Sequence, residues 1–176
     1  MDGQPAEVLL LERSRQGDRQ AMHELFVRHS RRLYAMAFRV TGRSADAEDV
    51  VQESFLRAWD SLGRFRGECS FGTWLYRIAI NRCRTLCRKQ RPIEPLEEER
   101  TASGGGENPA LARLRLVAAL ERLPDGYREV IVLHDVIELE HQEIAEILGC
   151  SIGTSKSQLH KARARMRELL SEGSST

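Results

Sequence analysis

Apolar residues return along this chain at intervals of three and four. Met22, Leu25, Phe26, His29, Leu33, Met36, Ala37 and Val40 trace one face of a helix, and Gly42 stands where a C-terminal cap is expected. Ser44 is placed to cap the next helix, whose inward stripe is Ala47, Val50, Val51, Phe55, Ala58 and Trp59. Residues 71–89 and 110–122 supply further amphipathic segments, and an apolar helix follows Pro124 to about Ile137. No segment alternates apolar and polar residues as a half-buried strand does. The expected fold class is therefore all-α.

Between these helices the stretch 92–109 has a different character. It combines Pro92 and Pro95 with the acidic run Glu97, Glu98 and Glu99 and the tract Ser103-Gly104-Gly105-Gly106. Such a stretch has too little apolar surface to fold alone and reads as a flexible, acidic, Gly-rich linker. It divides the chain into two small helical domains, residues 1–91 and 110–176.

A second pattern follows residue 141. Gln142-Glu143-Ile144-Ala145-Glu146-Ile147-Leu148-Gly149-Cys150-Ser151-Ile152-Gly153-Thr154-Ser155-Lys156-Ser157-Gln158-Leu159 has the spacing of a helix-turn-helix. Ala145 is small enough for two helices to cross closely, Gly149 makes the turn, and Ser151 can cap the second helix. Ile144, Leu148, Ile152 and Leu159 are placed to fill the space between them. The second helix then presents Lys156, His160, Lys161, Arg163, Arg165 and Arg167 against a single acid, Glu168. A basic run alone usually means a solvated face. Behind such a turn, it is what docking in the major groove requires.

Net charge changes this picture only when taken by segment. The chain carries a formal +1, yet residues 1–91 hold 17 basic and 11 acidic side chains, whereas residues 92–109 hold 1 and 5. Arg77, Arg82, Arg84, Arg88, Lys89 and Arg91 form a run without an acid, a second phosphate-binding surface. Just before it, 65–74 mixes aromatics with glycines, so Phe65 or Phe71 could wall a pocket for an unpaired base; the alternative is that Phe71 and Trp74 are core residues, and Trp74 reads as core. The helix from Ser44 to Trp59 has the opposite sign on its outer side, where Asp46, Asp49, Gln52, Glu53 and Asp60 would repel phosphate. That stripe suits a protein partner with basic groups.

Composition narrows the class further. With 41% apolar and 30% charged residues the chain is a soluble globular protein, and nothing approaches the ~20 apolar residues of a membrane span. No basic segment precedes the short apolar run near the N-terminus, so a cytoplasmic location without membrane insertion is expected. Cys69, Cys83, Cys87 and Cys150 form no paired CxxC framework and read as reduced, partly buried thiols; neither a metal nor a cofactor is expected.

Taken together, residues 46–59, Phe65-Arg66-Gly67, Thr73-Trp74-Leu75-Tyr76-Arg77-Ile78-Ala79-Ile80-Asn81, and Leu123-Pro124 followed by the helix-turn-helix resemble RNA polymerase sigma factors of the extracytoplasmic-function group. The resemblance spans nearly all of both domains. It implies core RNA polymerase and promoter DNA as partners, together with an anti-sigma factor, and no small-molecule substrate. By the resemblance, Asp46, Glu48, Asp49, Gln52, Glu53 and Trp59 belong to the polymerase-binding segment. Phe65, Arg66, Gly67, Ser70 and Phe71 belong to the loop that receives a flipped minus-ten base, and Asn81, Arg84 and Arg88 contact the neighbouring strands. The minus-thirty-five reader is carried over to Ser155, Lys156, Ser157, Gln158, His160 and Lys161, with Thr154 and Arg163 on phosphates. Three positions depart from the family: Ser155 where a valine usually packs under the helix, Gln158 where arginine is common, and Thr85 near a frequent aspartate. These bear on the promoter sequence rather than on the function.

Two other classes of function compete. A conventional helix-turn-helix repressor would satisfy the C-terminal domain and leave the N-terminal one unexplained. An enzyme would need a nucleophile, base and orienting group at a motif spacing, and His134 with Asp135, or Cys83 near Arg84, supplies no such set.

Overall fold

The computed structural model describes residues 3–90 and 109–172, all of whose regular elements are helical. Helices α1 (Gly3–Arg15), α2 (Arg19–Thr41), α3 (Ser44–Ser61) and α4 (Phe71–Gln90) form an N-terminal group, with a single 3-10 turn at Leu62–Arg64. Helices α5 (Pro109–Glu121), α6 (Asp125–Ile131), α7 (His141–Leu148) and α8 (Ile152–Glu172) form the C-terminal group, and α6 runs on into a wider π-type turn at Val132–Val136. The acidic, Gly-rich linker expected over 92–109 lies, apart from Pro109, outside the described residues.

Local chemistry sets the helix ends. Asp18 caps α2, its Oδ1 accepting from the amides of Gln20 at 2.9 Å and Ala21 at 3.2 Å. The hydrogen bond from Arg13, followed by those amides, holds the Asp18 carboxyl below its ordinary pKa. Gly42 ends α2 at φ 75°, a left-handed conformation that costs glycine little, and its amide donates to the Phe38 carbonyl at 2.8 Å. Ser44 does not cap α3 as the sequence suggested. Arg43 takes that position, without a side-chain cap, and Ser44 is the first helical residue.

The periodicity delivers the core. Leu25, Leu33 and Met36 from α2 meet Val50 from α3 and Leu75 and Ile80 from α4, each essentially removed from solvent. Burying one such side chain contributes about 1.5–3 kcal/mol. Val130, Leu133, Ile137, Ile144 and Leu159 do the same in the C-terminal group. Some inward expectations fail at the edges, where Met22, Trp59 and Leu148 are only half-buried. Phe26 is 38% and Ile152 45% exposed, and half-buried His29 bonds the Glu7 carboxylate at 2.8 Å while its ring meets the edge of Phe71.

The two groups also pack on each other. Helix α4 lies against α7, and α2 against α5 and the π-type turn, so the buried apolar residues of both groups form one continuous cluster. Polar contacts between described residues cross this boundary. Arg84 forks onto Glu129 at 2.8 and 2.7 Å, Thr73 donates to Glu143 at 2.9 Å, Arg32 to the Ile137 carbonyl at 2.8 Å, and Arg128 to the Val40 carbonyl at 3.0 Å. Periodicity within each half carries no record of these contacts.

Candidate nucleic-acid interface

The helix-turn-helix is built as its spacing requires. A capping box starts α7, with the Glu140 amide donating to the Glu143 carboxylate at 3.1 Å. Gly149 makes the turn at φ 69°, and its amide returns to the Ala145 carbonyl. Ser151 caps α8, its Oγ accepting from the Thr154 amide at 3.0 Å and lying 2.8 Å from the Thr154 hydroxyl. Helix α8 then buries Ser155, Leu159, Ala162, Met166 and Leu169 at alternating intervals of four and three. Its opposite face leaves Lys156, Ser157, His160, Lys161 and Arg163 exposed, with Gln158 half-buried.

Ser155 therefore does not belong to the DNA-facing set. It has no exposed surface, and its hydroxyl pairs with Nδ1 of His141 at 2.9 Å beneath the helix. The small polar residue at this position is accommodated by a histidine on α7 in place of the apolar contact that a valine would make. Burial first, then the positive neighbours His134 and Lys156, hold the His141 pKa below its ordinary value. The His134 ring lies 4.9 Å from that of His141, and its Nδ1 is 2.7 Å from the Asp135 carboxylate. Arg163 forks onto the same carboxylate, one arm at 3.0 Å through its Nε. Burial works to raise the Asp135 pKa, but the hydrogen bonds from Arg163 and His134 outweigh it and lower it. Such an exposed pair is worth about 0.2–1 kcal/mol, so Arg163 can exchange Asp135 for a phosphate at little cost.

On α3 the acidic stripe divides. Glu48, Asp49 and Gln52 are exposed, whereas half-buried Glu53 is held by Arg82 at 2.6 Å. Asp46 is 9% exposed, with Arg43 at 3.7 Å, so the expectation of a fully exposed stripe fails at its first residue. Leu56 shares the face of Asp49, Gln52 and Glu53 by helical spacing, and at 62% exposure it adds an apolar element that the inward pattern did not assign. An acidic and apolar face is chemically suited to a protein and repels a phosphate backbone.

The loop before α4 differs most from its sequence reading. Phe65 and Phe71 are 8% and 2% exposed; they pack with Trp74 and Trp59, the Phe65 and Trp74 ring centres 4.8 Å apart and those of Trp59 and Phe71 6.1 Å. Neither phenylalanine presents a face for a base. The exposed loop residues are Arg66, Gly67, Glu68 and Ser70, with Gly67 at φ 74°. Ser70 also caps α4, accepting from the Thr73 amide at 3.0 Å. Along α4, Asn81 and Arg88 are exposed, and Arg84 is half-buried in its pair with Glu129, which raises the guanidinium pKa. The structure thus gathers Arg66, Ser70, Asn81 and Arg88 on open surface and withdraws Phe65, Phe71 and Arg84 from it.

The two pairs weighed as catalytic groups are otherwise engaged. Burial pushes the Cys83 and Cys87 thiols up, away from the reactive thiolate, and His134 and Asp135 are engaged with Arg163. Among the described residues no group of three or more His, Cys, Asp or Glu side chains is placed to hold a metal ion, and no helix is long and apolar enough to cross a membrane.

Comparison with known proteins places the chain in a family. Residues 25–93 match the model of Sigma-70 region 2, and residues 113–166 that of Sigma-70, region 4. The ECF RNA polymerase sigma-E factor of Salmonella typhimurium is 36% identical over 93% of each chain, and the RNA polymerase sigma-H factor of Pseudomonas aeruginosa is 30% identical over 92% of each. Among solved structures, CnrH in complex with the cytosolic domain of CnrY superposes with a TM-score of 0.77 at 30% identity, covering 95% of this chain and 98% of that one. The sigma factor RpoE of Bartonella quintana, solved with the anti-sigma factor NepR, gives 0.69 at 26% identity, covering 85% and 96%. A helix-turn-helix joined to a helical group with a separate acidic face defines a DNA-binding factor that works with a protein partner. The chain belongs to the ECF group of the sigma-70 family, whose members are transcription initiation factors and not enzymes.

Proposed function

We propose that this chain binds core RNA polymerase through the exposed face of α3 and directs it to promoters, reading the minus-thirty-five element with α8 and both recognising and melting the minus-ten element with the 65–73 loop and α4. One observation carries the reading. The Ser151-capped helix α8 offers a row of exposed Lys156, Ser157, His160 and Lys161, in a chain whose other half matches Sigma-70 region 2. Action on core polymerase and promoter DNA assigns the protein to the cytoplasm. The relatives solved with bound partners support restraint by an anti-sigma factor. The decisive experiment adds purified protein to core polymerase with a genomic promoter library; specific transcripts are expected, and their absence would refute the proposal.

Docking has its own test. Glu48→Lys with Asp49→Lys reverses two exposed charges while leaving the Glu53–Arg82 pair intact. Each reversed contact should cost about 1 kcal/mol or more, so co-purification with core enzyme should fall at least roughly tenfold at unchanged helical content. Unchanged co-purification would remove α3 as the docking face.

Reading and anchoring separate along α8. Lys156→Ala or His160→Ala should change the preferred minus-thirty-five sequence, each lost base contact being worth about 1–3 kcal/mol. Arg163→Ala should instead weaken all sequences alike and lower the salt slope by about one unit. A reshaped preference in the Arg163 variant would exchange the two roles.

A further inference from the structure

Helix α1 reaches the 65–73 loop at both of its ends. At the entry, Arg15, the last residue of α1, donates from Nη2 to the Phe65 carbonyl at 2.5 Å and from Nε to the Leu62 carbonyl at 3.4 Å. One planar fork thus bridges the 3-10 turn and the residue that leads out of it. At the exit, Glu7 lies 2.8 Å from Nε2 of His29 on α2, and the hydrogen bond from His29 is the main cause that holds the Glu7 carboxyl below its ordinary pKa. The His29 ring then meets Phe71 edge-on with centres 5.3 Å apart, and a Cβ added to Gly72 would stand 3.5 Å from its Cε1. Helix α1 is itself anchored: Leu10 and Leu11 are buried in the core, and Arg13 pairs with Asp18 across the short turn into α2. Core packing does not account for Arg15. Its side chain is exposed, and replacing an exposed side chain usually changes stability little, yet its fork is fixed on two carbonyls of the loop entry.

We propose that Glu7 and Arg15 are positioning residues for capture of the unpaired minus-ten base: Arg15 fixes where the loop leaves the helical core, and Glu7, through His29, fixes where it returns. This inference rests on the assignment of that loop to the minus-ten base made above. Both residues precede the span 25–93 that matches Sigma-70 region 2, so the reach of α1 adds to the loop something the matched span does not contain. With its two ends held, the exposed tip of Arg66, Gly67, Glu68 and Ser70 is set before a strand arrives. A preset loop avoids the ordering cost that a free one incurs on binding, and a small displacement of either end moves the groups that meet the base. The benefit therefore exists only where a base enters the loop, and neither Glu7 nor Arg15 needs to touch the DNA.

The test uses the holoenzyme and single-stranded non-template DNA carrying the minus-ten sequence of a promoter obtained from the transcription experiment, either intact or abasic at each minus-ten position in turn. The wild type should bind one abasic strand less tightly than the intact one, which marks the captured base. Arg15→Ala and Glu7→Ala should each weaken the intact strand by roughly five- to tenfold and leave that abasic strand unchanged, so the preference between the two narrows by the same factor. Arg15→Lys keeps the charge but not the fork, and should behave like Arg15→Ala. Glu7→Gln can still accept from His29 through its amide oxygen, and should keep most of the wild-type preference. Because Arg15 is exposed, its variants leave the core filled and report on the loop even where Glu7→Ala loses helical content. Equal weakening of the intact and abasic strands would overturn positioning, and rescue of that loss by Arg15→Lys would make Arg15 a phosphate contact instead. A preference that the wild type shows and the Arg15 variants retain in full would overturn the positioning role alone. A wild type that binds every abasic strand as tightly as the intact one would remove base capture by the loop, and the proposal with it.

Discussion

Phe71→Ala should cost this protein about 3–5 kcal/mol of stability, a large share of the roughly 5–15 kcal/mol that a domain has. The residue opens α4 and is 2% exposed; its ring contacts Phe65, Trp74 and Trp59 and takes the edge of His29. Truncation removes the rim that joins α2, α3 and α4, and the lost ring leaves a cavity that four bulky neighbours cannot readily collapse. Urea denaturation followed by circular dichroism should show the midpoint falling sharply. Arg66→Ala, five residues away on open surface, should stay within about 0.5 kcal/mol of the parent. A Phe71→Ala protein as stable as wild type would return Phe71 to the role of a pocket wall.

That contrast shows what the sequence could and could not reveal. Helix positions were legible because apolar spacing, the glycine at 42 and the serine at 151 act within a few residues of one another. The helix-turn-helix was legible for the same reason. The acidic stripe of α3 was legible as charge, but not the burial of Asp46 or the capture of Glu53 by Arg82, since the partner lies on another helix. Phe65 and Phe71 looked available because aromatics beside glycines suit a base pocket and a core equally well, and only the positions of Trp59 and Trp74 in space decide between them. Ser155 carried its own clue. It stands four residues before Leu159, on the inward stripe, and its hydroxyl is matched by His141 on the preceding helix. The cross-boundary pair of Arg84 and Glu129 joins residues 45 apart in sequence, with no periodicity to connect them.

With the aromatics withdrawn into the core, the proposed role in strand opening would fall to the exposed polar residues around them, and the prediction for melting sharpens accordingly. Arg66→Ala and Asn81→Ala should each slow open-complex formation more than they weaken initial promoter binding. A lost contact to an unstacked base or its backbone costs about 1–3 kcal/mol, and that contact exists only after the strands part. At 1.4 kcal/mol per factor of ten, this corresponds to a slowing of roughly five- to hundredfold. These two are preferred over Ser70, because Ser70→Ala would also remove the cap of α4, worth about 1 kcal/mol, and mix a folding defect with a binding one. Permanganate footprinting of the holoenzyme on a linear promoter and on the same promoter with a pre-melted bubble separates the steps. The linear template should open slowly with either variant, and the bubble should relieve much of the defect, because strand separation is then already supplied. Normal opening of the linear promoter by both variants, or a defect that the bubble leaves wholly in place, would show that the 65–73 loop and α4 do not hold the melted strand.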